Sequence, residues 1–394
     1  MEPKIRFIGH KSNWSVVALD KVTTARNASN ALVNNRNLLS LSYGKIVNKD
    51  IDSNKGLLPS SFSTYQIIEP DTIVFRGTDL QNDKRSLRVA ISKQKGIISP
   101  AYVTMDVTDE NILPDYLYLA MHWHDVAKKS YYKMGDGLRQ TLPYSVLKEL
   151  EIPFPNKSEQ QGIIAYFQKF DAKLQASAKK VESLKKLKSA SLVAMFPQNG
   201  ESKPKVRFKG FEGEWSTNNL GSIFAERIES NENGEMLSVT MNNGIIRSSD
   251  NGRFDNSNSD KSKYKVVKIG DIAYNSMRMW QGASGVSQYE GIVSPAYTVV
   301  TPSVDVDTDF FGYLFKTDDV IRLFKLNSQG LTSDNWNLKY PAFSRICVSY
   351  PKSKEEQQAI AAYFRSLDRK IALETARLEK LKQIKLACLD KMFV

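Results

Sequence analysis

A long amphipathic stretch occurs twice in this 394-residue chain, so any fold it adopts has to house two rods of one design. The first opens with Glu159-Gln160-Gln161, carries Ile163, Tyr166, Phe167, Phe170, Asp171, Leu174, Val181, Leu184 and Leu187, and ends at Met195-Phe196. The second begins 197 positions later with Glu356-Gln357-Gln358, carries Ile360, Tyr363, Phe364, Leu367, Asp368, Ile371, Leu378, Leu381 and Ile384, and ends at Met392-Phe393. Apolar side chains fall mainly three and four apart over roughly ten helical turns, which at about 1.5 Å per residue is on the order of 55 Å. Rods of that length read as spacers.

On a heptad, Phe167, Phe170, Leu174, Val181 and Leu184 take positions a, d, a, a and d, and Phe364, Leu367, Ile371, Leu378 and Leu381 take the same letters. These ten are the expected helix-pairing residues. Both seams break at matched places, Ser177 against Glu374 and Lys188 against Lys385. Polar seam residues cost stability but restrict register, which favours pairing of the two helices over separate docking of each on its own domain. A parallel pair sets both domains side by side at one end. An antiparallel pair sets one at each end about a pseudo-two-fold axis, and a rod on the order of 55 Å can hold the two end domains about 34–36 Å apart, the half-site spacing that a two-fold DNA binder would need, there or at a multiple of it.

The repetition extends beyond the rods. Pro3-Lys4-Ile5-Arg6-Phe7, Gly9, Trp14 and Leu19 return 201 positions later as Pro204-Lys205-Val206-Arg207-Phe208, Gly210, Trp215 and Leu220. Gly96-Ile97-Ile98-Ser99-Pro100-Ala101-Tyr102 differs from Gly291-Ile292-Val293-Ser294-Pro295-Ala296-Tyr297 only by Ile against Val. Between these anchors the halves diverge, so a shared frame carries unlike inserts. Short β-rich runs (Ile67-Ile68, Thr72 to Phe75, Lys265 to Val267, Asp271 to Tyr274) precede helical patches at Asp115 to Ala127 and Asp309 to Leu326. Strand-like exits at Leu150 to Phe154 and Ile346 to Tyr350 lead to Pro155 and Pro351, with Ser158 and Ser353 or Lys354 starting the rods and Ser158 the expected N-cap. The expected domains are residues 1–155 and 204–351, with helices over 156–196 and 352–394 and a linker over 197–203.

Lys and Arg number 55 against 43 Asp and Glu, a net charge of +12 that points to a polyanionic partner. The chain lacks a membrane-length apolar run and opens without a signal-peptide core, which reads as cytoplasmic. Cys347 and Cys388, both in apolar surroundings, exclude a disulfide framework and a four-cysteine zinc site. His122-Trp123-His124 alternates as a strand or loop would, but no third metal ligand accompanies it. There is no Walker loop, no G-x-S-x-G elbow and no methyltransferase Asn/Asp-Pro-Pro-aromatic motif, so no catalytic or metal residue is assigned.

Both inserts carry groups able to meet phosphates and bases. In the first half the candidate DNA-binding residues are Arg76, Arg85, Arg88, Lys93, Lys133 and Arg139, with Lys84, Lys95, Tyr131 and Tyr132 beside them. In the second half they are Arg247, Arg253, Lys263, Asn275, Arg278, Trp280, Gln281 and Lys339, with Lys261, Lys265 and Asn335 nearby. Lys and Arg neutralise phosphates without reading sequence, whereas Arg to guanine and Asn or Gln to adenine can be bidentate. The repeated Ser-Pro-Ala-Tyr reads as a turn that packs the sheet or a loop at the DNA surface, and the first is favoured because the divergent inserts are better placed to discriminate bases. On the rods, the outward Lys169, Lys173, Lys180, Arg365, Arg369 and Arg377 are candidates for partner docking.

The combination of Pro155 to Gln161 and Pro351 to Gln358, the Tyr-Phe and Asp that follow, the Lys-rich helix and the doubled Gly-Ile-Ile/Val-Ser-Pro-Ala-Tyr resembles the specificity subunit of type I restriction-modification systems, over essentially the whole chain. The resemblance implies an α+β fold: two mixed α/β target recognition domains, each followed by a long α-helix, the helices pairing as an antiparallel coiled coil with pseudo-two-fold symmetry. It implies a non-catalytic subunit that reads a bipartite, asymmetric double-stranded DNA target, one half-site per domain. Expected partners are two modification (methyltransferase) subunits and optionally two restriction (translocase/nuclease) subunits, with no membrane. S-adenosylmethionine, ATP and Mg are expected on those partners and none on this chain. Two other readings stand beside it, a coiled-coil adaptor bridging proteins and a DNA-modifying enzyme with unrecognised motifs.

Overall fold

Runs such as Ile73-Val74-Phe75 and Ile272-Ala273-Tyr274 are fully apolar and buried on both faces, which makes them central strands rather than edges. The computed structural model describes residues 3–32, 37–50, 58–78, 87–127, 141–198, 200–241, 243–251, 260–332 and 335–393. They form two units, one of Met1–Ser177 with Arg377–Val394 and one of Ala178–Ala376.

In the first unit, an antiparallel four-stranded sheet runs in the order Thr23–Ala25, Val103–Val107, Ile73–Phe75 and Val89–Ile91. Ile73 lies opposite both Met105 and Ile91. Among the described residues it also holds three two-stranded pairs: Ser15–Ala18 with Glu151–Phe154, Leu39–Ser42 with Lys45–Asn48, and Gln66–Ile68 with Gly96–Ile98. A helix over Pro114–Ala127 follows the last sheet strand.

The second unit repeats this plan strand for strand. Its sheet runs Phe224–Glu226, Tyr297–Pro302, Ile272–Asn275 and Ser284–Val286, with pairs Ser216–Asn219/Cys347–Tyr350, Leu237–Thr240/Gly244–Arg247 and Lys265–Val267/Gly291–Val293. The helical patch expected from Asp309 to Leu326 is corrected here. It is two helices, Thr308–Leu314 and Asp318–Asn327, broken where Thr317 bonds back to the Leu314 carbonyl at 2.7 Å and Lys316 turns toward backbone carbonyls.

The rods are single helices over Lys157–Met195 and Lys354–Phe393. The first is capped by Asn156, whose side-chain oxygen accepts from the Glu159 N–H at 3.0 Å, correcting the expectation for Ser158. Ser353 caps the second through the Glu356 N–H at 3.2 Å. Least-exposed positions recur every four and three residues, at 163, 167, 170, 174, 177, 181, 184, 188, 191 and 195, and 197 positions on in the second rod.

The doubled sequence motifs are the joints between these rods and the cores. Arg6 grips Glu159 through Nε at 2.7 Å and an Nη at 2.8 Å, and Arg207 grips Glu356 in the same fork at 2.7 Å. The next residue staples the preceding loop. Gln160 donates to the Pro155 carbonyl at 2.8 Å and accepts from Leu113 N–H at 2.9 Å, while Gln357 donates to Pro351 and accepts from Asp307 N–H, both at 2.8 Å. The Met-Phe ends complete the cores. Phe393 and Met392 pack with Trp14, Tyr116 and Phe167 in the first unit, and Phe196 and Met195 with Trp215, Phe310 and Phe364 in the second.

Within each unit the two helix segments run antiparallel. In the second unit Lys180, Lys188 and Ser191 meet Glu374, Asp368 and Tyr363, so numbers rise on one segment as they fall on the other. In the first, Tyr166 and Asp171 meet Cys388 and Lys385. Of the ten expected pairing residues, Phe167, Phe364 and Leu367 sit in the domain cores, while Phe170, Leu174, Leu184, Ile371, Leu378 and Leu381 are half-buried along the seam and Val181 is buried there. Cys347 is exposed, a correction to its expected apolar surroundings, because it opens a strand that pairs on one side only.

Candidate nucleic-acid interface

The strand Ile272–Asn275 leaves the second sheet into a tight turn that carries four of the candidate residues. Asn275 shapes it: its side-chain oxygen accepts from the Met277 N–H at 3.0 Å and its carbonyl from the Arg278 N–H at 3.0 Å. Met279–Gln281 make one 3-10 turn, and Gly282 closes it at φ +79°, a left-handed conformation that costs glycine nothing. The Asn275 N–H then bonds the Ala283 carbonyl at 2.9 Å and the chain returns as Ser284–Val286.

This construction leaves Arg278 and Met277 exposed, with Gln281 and Trp280 half-buried beside them. The Trp280 indole N–H donates to the Met277 carbonyl at 3.0 Å, and its ring meets Trp336 edge-on at 5.2 Å between centroids. The Lys325 ammonium lies over the Trp336 ring, 5.5 Å from its centroid. Leu338 N–H bonds the Ser276 carbonyl at 2.8 Å, which brings exposed Lys339 and Asn335 to the same patch. A guanidinium, two amides, two indoles and two ammonium groups gathered on one patch can contact both phosphates and base edges.

The first unit has the same joint. The Arg76 N–H bonds the Arg88 carbonyl at 2.9 Å, as Asn275 bonds Ala283, so Arg76 and Asn275 occupy one position of the repeated frame. Arg88 is corrected: it is fully buried, its guanidinium donating to the Arg76 and Thr78 carbonyls instead of facing DNA. Lys93 is exposed but held by Asp71 at 3.0 Å and Asp115 at 2.8 Å, so its charge is locally neutralised; those carboxylates push its pKa up against the opposing pull of burial. Arg85, Lys133 and Arg139, with Lys84, Tyr131 and Tyr132, lie outside the described residues, as does Arg253.

Elsewhere in the second unit Lys263 is exposed, and Arg247 forms an ion pair with Glu235 at 3.2 Å while lying 5.1 Å over the Tyr289 ring. Lys265 pairs with Glu226 at 3.1 Å. On the rods, Lys180 and Arg365 are engaged with Glu374 and Asp309, leaving less of the outward charge for partners than the sequence suggested.

Ser-Pro-Ala-Tyr is a turn in both copies: Tyr102 N–H bonds the Ser99 carbonyl at 3.1 Å and Tyr297 N–H the Ser294 carbonyl at 2.9 Å. Its leading glycine permits close strand approach. A Cβ at Gly291 would stand 2.3 Å from the Glu235 carbonyl oxygen, and one at Gly96 2.7 Å from that of Asn37. His122 and His124 lie in the helix Pro114–Ala127, not on a strand or loop; His124 faces the Glu151 carbonyl at 3.2 Å and burial lowers its pKa to about 4. Among the described residues no group of three or more His, Cys, Asp or Glu could hold a metal, and no helix is long and apolar enough to cross a membrane.

Sequence reasoning missed Lys316. Its ammonium is mostly buried and donates to the carbonyls of Gly282, of Ser284 at 2.8 Å and of Met241 at 3.4 Å. Burial, with like charge from Lys188, lowers its pKa to about 8. Nothing in the string Phe315-Lys316-Thr317 distinguishes it from a solvated lysine.

The family model for the type I restriction modification DNA specificity domain matches residues 12–186 and again residues 213–383. No curated protein matches the sequence. The crystal structure of the type I restriction-modification system S subunit from M. genitalium is similar over 100% of this chain and 99% of its own, at 18% identity and TM-score 0.58. A chain from a structure of type I R-M system assembly and conformational transition is similar over 97% of this chain and 98% of its own, at 16% identity and TM-score 0.56. At these identities the likeness concerns the fold.

Proposed function

The chain belongs to the type I restriction-modification DNA specificity family, and from that membership we propose that each unit reads one half of a bipartite, asymmetric target while the chain itself performs no catalysis. DNA sequence specificity is the family's function, and its partners are DNA and the methyltransferase and restriction subunits. One observation carries the asymmetry. A strand-for-strand repeated frame delivers Arg76 in one unit and Asn275 in the other to the same position, followed by loops of different sequence. Guanidinium and amide groups favour different base edges, so two such units favour different half-sites.

The paired helices set the unspecified gap between the half-sites and dock two modification subunits, with two restriction subunits able to join. S-adenosylmethionine is bound by the former, ATP and Mg by the latter. Support for the spacer role comes from helix length: 39 and 40 residues correspond to about 60 Å of axis each.

Mapping methylated adenines in DNA from cells expressing this chain with its modification subunits tests the reading. Two unlike half-sites separated by unspecified bases are expected; a continuous or perfectly palindromic target overturns it. Deleting one heptad between 167 and 187 and its match in the second helix shortens the gap and leaves both half-sites unchanged. Altered half-sites with an unchanged gap overturn the spacer role.

A further inference from the structure

In both units a charge from the helical segment after the last sheet strand reaches the point where the divergent loop returns to the sheet. In the first unit it is Asp125, fully buried on the helix Pro114–Ala127, whose carboxylate accepts from the N–H groups of Arg88 and of Val89, the latter at 3.3 Å. In the second it is Lys316, beyond the end of the helix Thr308–Leu314, whose ammonium donates to the carbonyls of Gly282 and Ser284. The two anchored segments are equivalent, because Arg88 and Ala283 supply the same carbonyl to Arg76 and Asn275. Anchor charges are therefore opposite in sign, and so are the backbone groups they hold.

Resting on the reading that each unit recognises one half-site, we propose that Asp125 and Lys316 are positioning residues for sequence discrimination, each fixing the backbone at which the chain re-enters the sheet of its own unit. Neither touches the exposed surface that carries Arg278 and Gln281. Lys316 acts through Gly282, the residue that closes the turn, and through Met241 in the neighbouring hairpin, so it ties two surface loops of the second unit together. A charge-assisted bond is roughly twice as strong as a neutral one, and a buried ion with several backbone partners resists displacement.

The second unit's anchor also carries a pH signature. The charged group that acts on Lys316 from the elements packed around it is Lys188, itself bonded to Asp368, and the hairpin and return strand offer it backbone carbonyls. As pH rises through about 8 the ammonium loses its proton and its bonds become neutral. Global stability moves the other way, because between that pH and the ordinary lysine range the unfolded chain binds the proton that the folded chain has released. Falling discrimination without falling stability is a result that simple unfolding does not produce.

The experiment uses the complex of this chain with its modification subunits and duplexes carrying the methylation-mapped target, with either half-site scrambled. Lys316→Met is expected to reduce discrimination at least tenfold at one half-site alone, and Asp125→Asn at the other alone. Wild-type complex taken from pH 7 to pH 9 is expected to lose discrimination only at the half-site that Lys316→Met affects, or, if that variant does not fold, at one half-site and not both. Equal loss at both half-sites, or no loss in either variant and a flat pH profile, overturns the proposal. A wild-type target that is not bipartite overturns the underlying reading instead.

Discussion

Lys188 on the first long helix donates to Asp368 on the second at 2.5 Å. Each residue has a counterpart 197 positions away, and those counterparts form the same bond: Lys385 donates to Asp171 at 2.6 Å. The reciprocity is what antiparallel pairing of two repeated helices requires. In a parallel, in-register pair Lys188 would instead face Lys385, two like charges at the seam. The polar break in the heptad thus selects direction as well as register.

Reversing one member tests this. Lys188→Glu sets two carboxylates together and is expected to destabilise by about 1 kcal/mol, the range of partly exposed pairs. Adding Asp368→Lys recovers most of the loss in urea denaturation. No recovery in the double variant contradicts a direct bond.

The buried fork between Arg207 and Glu356 is a stronger joint, since the carboxylate side chain is only 2% exposed and the guanidinium 17%. Glu356→Ala leaves a cation without its partner and is expected to cost about 3 kcal/mol. Arg207→Lys keeps the charge but loses the two-pronged geometry, so its cost is smaller. Equal denaturation midpoints for the two variants refute the bidentate account.

Gly291→Ala forces a Cβ against the Glu235 carbonyl oxygen, which is backbone and yields only if the strands part. A loss of roughly 2–3 kcal/mol is expected. Gly210 has open space around it but φ +97°, so Gly210→Ala is expected to cost about 1 kcal/mol, from backbone strain alone. Thermal melts of the two variants rank these causes.

Acid tests the first unit through His124. Burial lowers its folded pKa to about 4 from 6.5, so between these values the unfolded chain binds a proton that the folded chain refuses. Stability present above pH 6.5 is lost as pH falls toward 4, on the order of 3 kcal/mol. His124→Gln is expected to flatten that part of the stability profile, and an unchanged profile assigns the acid sensitivity elsewhere.

Arg278 and Lys339 separate reading from anchoring on the exposed patch. Arg278→Ala is expected to relax base preference at one position of one half-site, at about 1–3 kcal/mol of discrimination. Lys339→Ala weakens all sequences alike and lowers the salt slope by about 1. Binding to matched and scrambled duplexes across a salt series distinguishes the two effects.

Much of the architecture was legible in the chain because repetition is a one-dimensional signal. The doubled Glu-Gln-Gln, Met-Phe, Trp14/Trp215 and Gly96/Gly291 positions announce two copies, and each proves to be a packing joint. The heptad spacing exposed the seam, down to its polar positions at Ser177, Lys188, Glu374 and Lys385. Periodicity reports which side of an element is buried, and both copies voted alike.

Partners distant in sequence were decided by folding alone. Arg88 and Lys316 look like surface charges in the string, yet one is fully buried on the Arg76 and Thr78 carbonyls and the other crosses to three backbone carbonyls. Heptad spacing left the direction of the helix pair to the family resemblance until Lys188 met Asp368, and the break at Lys316-Thr317 was hidden in an unbroken amphipathic run. The physical reason is common to all four. A charge's environment depends on what the remaining chain brings within about 4 Å of it, and local spacing carries no record of that.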